Sequence, residues 1–219
     1  MQRRHHYEHA FEAFLRARRI PYVAVDEARK ALLPDSARFR LGPPDADPAE
    51  HALKSFDFVL YGDPNLLVEI KGRKVARPRT RPPAAVGTQR ALYAPSATAQ
   101  PERRARLENW ATREDVESLS AWETLFGDGF EAVFVFLYWC DTLPPAALFE
   151  EVFEHRDRWY ALRAVRVRDY RAHMKVRSPR WGTVHLPPAR FDEFARPLAP
   201  PPGRDALPGD LLPAFATHG

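Results

Sequence analysis

Residues 55–74 read SFDFVLYGDPNLLVEIKGRK, and how they pair decides the fold. Two apolar runs, 55–61 and 66–71, flank Gly62-Asp63-Pro64-Asn65, a cluster of turn formers. Such a pattern predicts a β-hairpin. Asp57 sits in the first run, and Glu69 and Lys71 in the second. A carboxylate in a buried strand is costly unless it is paired or ligates a metal. Glu69 and Lys71 are two apart, so they project from one face. Whether Asp57 joins them depends on register. A three-residue loop, Gly62-Asp63-Pro64, sets Asp57 opposite Glu69; a two- or four-residue loop sets it opposite Ile70, facing away. The expectation is therefore an odd-length turn, or a bulge near Asp57. Two carboxylates and a lysine gathered in this way suit a hard divalent cation such as Mg²⁺ and the hydrolysis of a phosphodiester.

Working outward, residues 5–19 place Tyr7, Phe11, Phe14 and Leu15 on one helical stripe, with Glu8 and Glu12 on an adjoining face. Pro21 limits that helix, and 21–25 read as a short strand. Residues 34–52 read as loop. Residues 72–101 contain no acid and hold Arg73, Lys74, Arg77, Arg79, Arg81 and Arg90 among prolines, a long basic loop. Thr112 with Asp115 three residues on fits a capping box, followed by Val116, Leu119, Trp122 and Phe126 at helical spacing and Gly127 as the stop. The apolar run 130–139 predicts a central strand covered on both faces. Further on, the expectations are a helix after Pro144-Pro145 to about Arg156, a strand at 159–167, a short helix at 168–174, a strand at 181–186 and a helix near 189–195. The order gives an α/β domain with a mixed sheet.

The 219 residues suit one medium domain, and 45% hydrophobic residues are enough for a sizeable core. Formal charge +4 permits an anionic partner without demanding one. Only five of the 33 basic residues are lysines, in an Ala-, Arg- and Pro-rich composition typical of a GC-rich bacterial genome, so arginine abundance by itself says little. One cysteine, Cys140, excludes an intrachain disulfide and fits a reducing cytoplasm. The opening residues carry no apolar signal region, and no apolar run reaches the roughly 20 residues of a membrane helix. The expectation is a cytoplasmic protein with no membrane partner. His5, His6 and His9 lack a matching further ligand for zinc.

The string S-F-D-F-V-L-Y followed by L-L-V-E-I-K-G-R resembles the PD-(D/E)XK nuclease core. The resemblance spans about residues 5–140 in an αβββαβ order and implies a restriction-endonuclease-like fold, with residues 72–111 as a basic insertion, 141–200 as a C-terminal α+β extension on the same domain and 201–219 as a Pro-rich tail. It further implies a Mg²⁺-dependent nuclease, with Mn²⁺ able to substitute, acting on nucleic acid and on DNA before RNA. Asp57, Glu69 and the Ile70 carbonyl would bind metal, Lys71 would assist the attacking water, and Glu8, or alternatively Glu12, would complete the site. Arg73 and Lys74 would contact phosphates, and Arg77, Arg79 and Arg81 would clamp the backbone. Homodimers are common in that superfamily. Phe56 stands where many members have proline. The stretch H-Y-E-H-A-F-E (6–12) is similar to the bacterial HYExAFE family. The alternative expectation is a module that keeps this fold and binds nucleic acid or protein without catalysis.

Overall fold

The computed structural model describes residues 5–25, 53–75, 107–140 and 151–198. Helix α1 (His5–Ala17) leads into β1 (Tyr22–Ala24). Strands β2 (Phe58–Leu60) and β3 (Asn65–Lys74) form the hairpin. A two-residue strand, β4 (Ala111–Thr112), precedes α2 (Arg113–Phe126) and β5 (Phe130–Cys140). Then follow β6 (Glu151–Glu154), β7 (Trp159–Arg166), α3 (Val167–His173), β8 (Lys175–Ser178), β9 (Thr183–His185) and α4 (Pro188–Phe194).

The main sheet has the order β1-β2-β3-β5-β7-β6. The pair β3–β5 is parallel over ten residues, from Asn65↔Phe130 to Lys74↔Trp139, and the remaining pairs are antiparallel. The continuous apolar run of β5 is explained by its place: β3 and β7 flank it, and Ala132 to Tyr138 are buried. On one face, Phe11, Phe14 and Leu15 of α1 pack against Phe58, Leu66, Val68, Val133 and Val135. On the other, Val116 and Leu119 of α2, Tyr170 of α3 and Phe191 of α4 cover Leu67, Phe134 and Phe136. Burying each such side chain contributes about 1.5–3 kcal/mol, so both helical layers are strongly held. A second sheet, β4-β9-β8, lies beside the start of α2.

The architecture is thus α/β with a mixed sheet and flanking helices. Two expectations need correction. The helix expected to reach Arg156 does not: residues 151–154 are strand β6, because Val152 and Phe153 complete the sheet edge beside β7. The remainder of that expected helix, 144–150, lies outside the described residues. The first hairpin strand is also shorter than 55–61, since the ladder gives way at Asp57. The C-terminal residues, expected as an extension, supply β7 and β6 to the main sheet itself.

Candidate active site

The hairpin register is the first fact of the site. Phe58 pairs with Val68, Val59 with Leu67 and Leu60 with Leu66. Carried outward, this register sets Tyr61 opposite Asn65, as an odd-length loop of Gly62-Asp63-Pro64 requires; it ends at Asp57, which shares Val68 with Phe58 as a bulge. The Asn65 side chain braces the loop by accepting from the Gly62 amide at 3.0 Å. At Asp57 the strand also bends. Its amide donates to Val68 O on β3, while its carbonyl accepts from Val25 N on the side of β1. A regular strand residue addresses one neighbour with both groups, so the backbone turns here and β3 runs on unaccompanied by β2.

Asp57 uses that opening. Its Oδ2 accepts a 2.6 Å hydrogen bond from the Ile70 amide. In extended backbone the carbonyl of Ile70 faces the same side as its amide. Burial and then the nearby Glu69 carboxylate push the Asp57 carboxyl well above the ordinary carboxylate range, with Glu8 adding to the effect against the Ile70 amide and Lys71. Burial also raises Glu69, which Lys71 partly offsets.

Lys71 is the hub. Its Nζ donates to Glu69 Oε1 at 2.9 Å and to Asp115 Oδ2 at 2.7 Å, with the Phe134 ring 5.8 Å away. Asp115 is the N3 residue of α2, and it completes the capping box: Thr112 Oγ1 accepts from the Asp115 amide and Asp115 Oδ2 accepts from the Thr112 amide. Its other oxygen accepts from Lys54 Nζ at 3.2 Å, and Lys54 also meets Glu114 at 2.7 Å. Lys54 is held in place by α2 through its amide on Ser118 and its carbonyl on Trp122. Burial alone would raise Asp115, but the Lys71 ammonium and the Thr112 amide hold it down at about 2. The sequence shows Asp115 only as a helix cap. Nothing in a spacing of 44 residues couples it to Lys71; the one signal is an acid at the helix start just before the strand that flanks β3.

The first helix approaches from the other face. The Tyr7 ring lies so close over Gly72 that a Cβ there would come within 2.2 Å of it, which fixes α1 beside Glu69-Ile70-Lys71. Glu8 lies near enough to act on the Asp57 charge, whereas Glu12 faces His9 and Arg16 along the helix at 3.8 and 3.6 Å. His6, whose ring burial lowers, shares a 3.2 Å hydrogen bond with Tyr160.

The structure therefore brings together Asp57, Glu69, Ile70 and Lys71, and adds Asp115 and Lys54. It does not gather the full expected ligand set: among the described residues, no three His, Cys, Asp or Glu side chains are close enough to hold a metal ion. Glu69 is turned to Lys71, as repulsion from Asp57 dictates when the ammonium is the counter-ion at hand. Arg73, expected on substrate phosphates, is half-buried; it donates to the carbonyls of Gly72 and Trp110 and lies 3.9 Å over the Trp110 ring. Lys74 is exposed and lies 4.4 Å over Trp139. Arg77, Arg79 and Arg81 lie outside the described residues. No described helix is long and apolar enough to cross a membrane. Comparisons with protein-family models, curated proteins and solved structures gave no match.

Proposed function

We propose that the protein is a Mg²⁺-dependent nuclease of restriction-endonuclease-like fold, hydrolysing phosphodiester bonds in nucleic acid, and DNA in preference to RNA. The observation that carries this reading is the closeness of the Asp57 carboxylate, held by the Ile70 amide at 2.6 Å where β3 leaves β2, to that of Glu69, which Lys71 meets at 2.9 Å. Two partly buried carboxylates with raised proton affinity, one of them raised by the other, are what a hard divalent cation relieves, and Mn²⁺ has the same preference for oxygen. The residues that would hold it are Asp57, Glu69 and the Ile70 carbonyl, with Glu8 the first-helix acid on the Asp57 side. When bound, the cation supplies charge stabilisation at the phosphate and a more acidic water.

The chain's own residues divide the remaining work. Of the three Nζ donors of Lys71, two are committed to Glu69 and Asp115 among the described residues, leaving one to orient a water or a phosphate oxygen. Asp115 holds Lys71 and Lys54 in position and keeps its own negative charge throughout the neutral range. Phe134 and the packed helix α2 exclude water from beneath Lys71.

The engagement of Glu69 by Lys71 favours a second reading, a fold that binds nucleic acid or protein with this ion-pair network serving structure only. One experiment separates the two. Labelled DNA and RNA substrates are incubated with the protein in Mg²⁺, Mn²⁺ or EDTA. The proposal expects metal-dependent cutting that Asp57→Ala, Glu69→Gln and Lys71→Ala each abolish while circular dichroism stays unchanged. Cutting that survives in both the Glu69 and the Lys71 variants overturns it.

A further inference from the structure

The Lys71 face of β3 continues beyond the site. Arg73, two residues on, stacks over Trp110, and Arg177 of β8 lies 5.3 Å from the same ring. Trp110 immediately precedes β4, which pairs with β9 through Ala111↔Val184 and Thr112↔Thr183. The small β4-β9-β8 sheet is thus joined to the site through one indole. Its β8–β9 hairpin turns at Pro179-Arg180-Trp181-Gly182, and the Gly182 carbonyl accepts from Arg113 N, at the first residue of α2. The tip is therefore anchored to the helix whose Asp115 holds Lys71.

This sheet presents an unusual combination to solvent. Trp181 is 70% exposed, the most exposed of the large hydrophobic residues described. Arg180 lies 5.3 Å over its ring, and Lys175 and Arg177 of β8 are exposed on the same small sheet. The acid facing this group is Glu108, which meets Arg177 at 3.2 Å; that exposed pair contributes little to stability. An exposed indole under one cation, on a small sheet that exposes two more, is poorly suited to a core and well suited to a polyanion with flat, unstacked rings.

We propose that the β4-β9-β8 sheet seats an unpaired nucleic-acid strand, with Trp181 stacked on a base and Lys175, Arg177 and Arg180 along the phosphates, leading the strand towards Lys71. A duplex buries the base faces that Trp181 would use, so the substrate class is single-stranded or splayed nucleic acid. The placement rests on the nuclease reading, but the binding does not depend on cleavage.

The test is binding in EDTA, measured by fluorescence anisotropy with a labelled oligothymidine and the corresponding dA·dT duplex. Expected are tighter binding of the single strand, a loss of roughly ten-fold in Trp181→Ala with partial recovery in Trp181→Phe, and a salt slope smaller by about 1.4 in Lys175→Ala/Arg180→Ala, at about 0.7 for each phosphate no longer neutralised. Trp181 contributes little to the core, so folding is not at stake in that variant. Binding unchanged in Trp181→Ala overturns the proposal, as does equal affinity for strand and duplex. Failure of every form to bind nucleic acid at low salt also overturns it and leaves the surface to a protein partner. Tight Trp181-dependent binding without cleavage supports this surface and defeats the nuclease reading; cleavage indifferent to these variants does the reverse.

Discussion

At the scale of single residues, Asp57 and Asp115 are opposite cases of one problem. Each is a carboxylate removed from water. Asp115 is met by an ammonium and a backbone amide and stays ionised; Asp57 is met by one amide and faced by Glu69 and Glu8. Asp57→Asn keeps an oxygen for the Ile70 amide and removes the charge. It is expected to raise the melting temperature of the metal-free protein at pH 8 by at least about 2 °C, the equivalent of ~1 kcal/mol in a chain of this size, and to abolish any further rise on adding Mg²⁺. Differential scanning fluorimetry reads both. An unchanged or lower melting temperature contradicts the geometry described. Asp115→Ala acts the other way. It leaves Lys71 with a single described counter-ion, and a loss of about 2 kcal/mol in urea denaturation is expected. The sequence places Glu69 and Lys71 on one face, and lets Asp57 join them through an odd-length turn or a bulge, because strand alternation and turn length are local rules. It cannot reveal Asp115 or Lys54 as members, since that relation is made by packing α2 on the sheet.

At the scale of elements, two joints hold β3. The capping box at Thr112 starts α2 where Asp115 is needed, and it is legible because a cap is a four-residue pattern. Thr112→Ala should cost about 1 kcal/mol, less than Asp115→Ala; equal losses would mean that Lys71 gains nothing from Asp115. The second joint is Tyr7 against Gly72. Gly72→Ala should destabilise by about 1–3 kcal/mol through overpacking, and Tyr7→Ala should partly relieve that loss in the double variant. Additive losses in the cycle would show that the two do not touch. The histidine and tyrosine of the H-Y-E string thus act as packing against Trp139, Tyr160 and Gly72, leaving Glu8 as the polar member of the string on the Asp57 side. Sequence pattern locates α1, α2 and β5 well, since the helices carry apolar residues at helical spacing and β5 carries a long apolar run. It misses β6, whose four residues are too few to show alternation and gain their place only from β7.

At the scale of the whole molecule, the carboxylates give stability a pH profile. Raised acids such as Asp57 and Glu69 retain protons in the folded state that the unfolded chain has released above about pH 4. Folded protein then binds more protons than unfolded, so stability falls as pH rises from the ordinary carboxylate range towards the raised values. Asp115 adds stability above its unfolded value and loses it only as pH falls to about 2. In EDTA the urea midpoint should therefore decline from pH 5 to pH 8, with Asp57→Asn flattening the decline. A profile identical in both proteins would show that Asp57 carries no such burden. The parallel pairing of β3 with β5 has a different consequence. Asn65 must find Phe130, and β5 must then receive β7 from beyond another long connection, so the centre of the sheet closes late and through distant pairings. Asp57 and Glu69 meet inside a local hairpin, but Glu8 arrives from before it and Asp115 from well after it. A nascent or partly unravelled chain has the hairpin without its partners, and Asp57 and Lys71 stand apart from Glu8 and Asp115 until α1 and α2 dock.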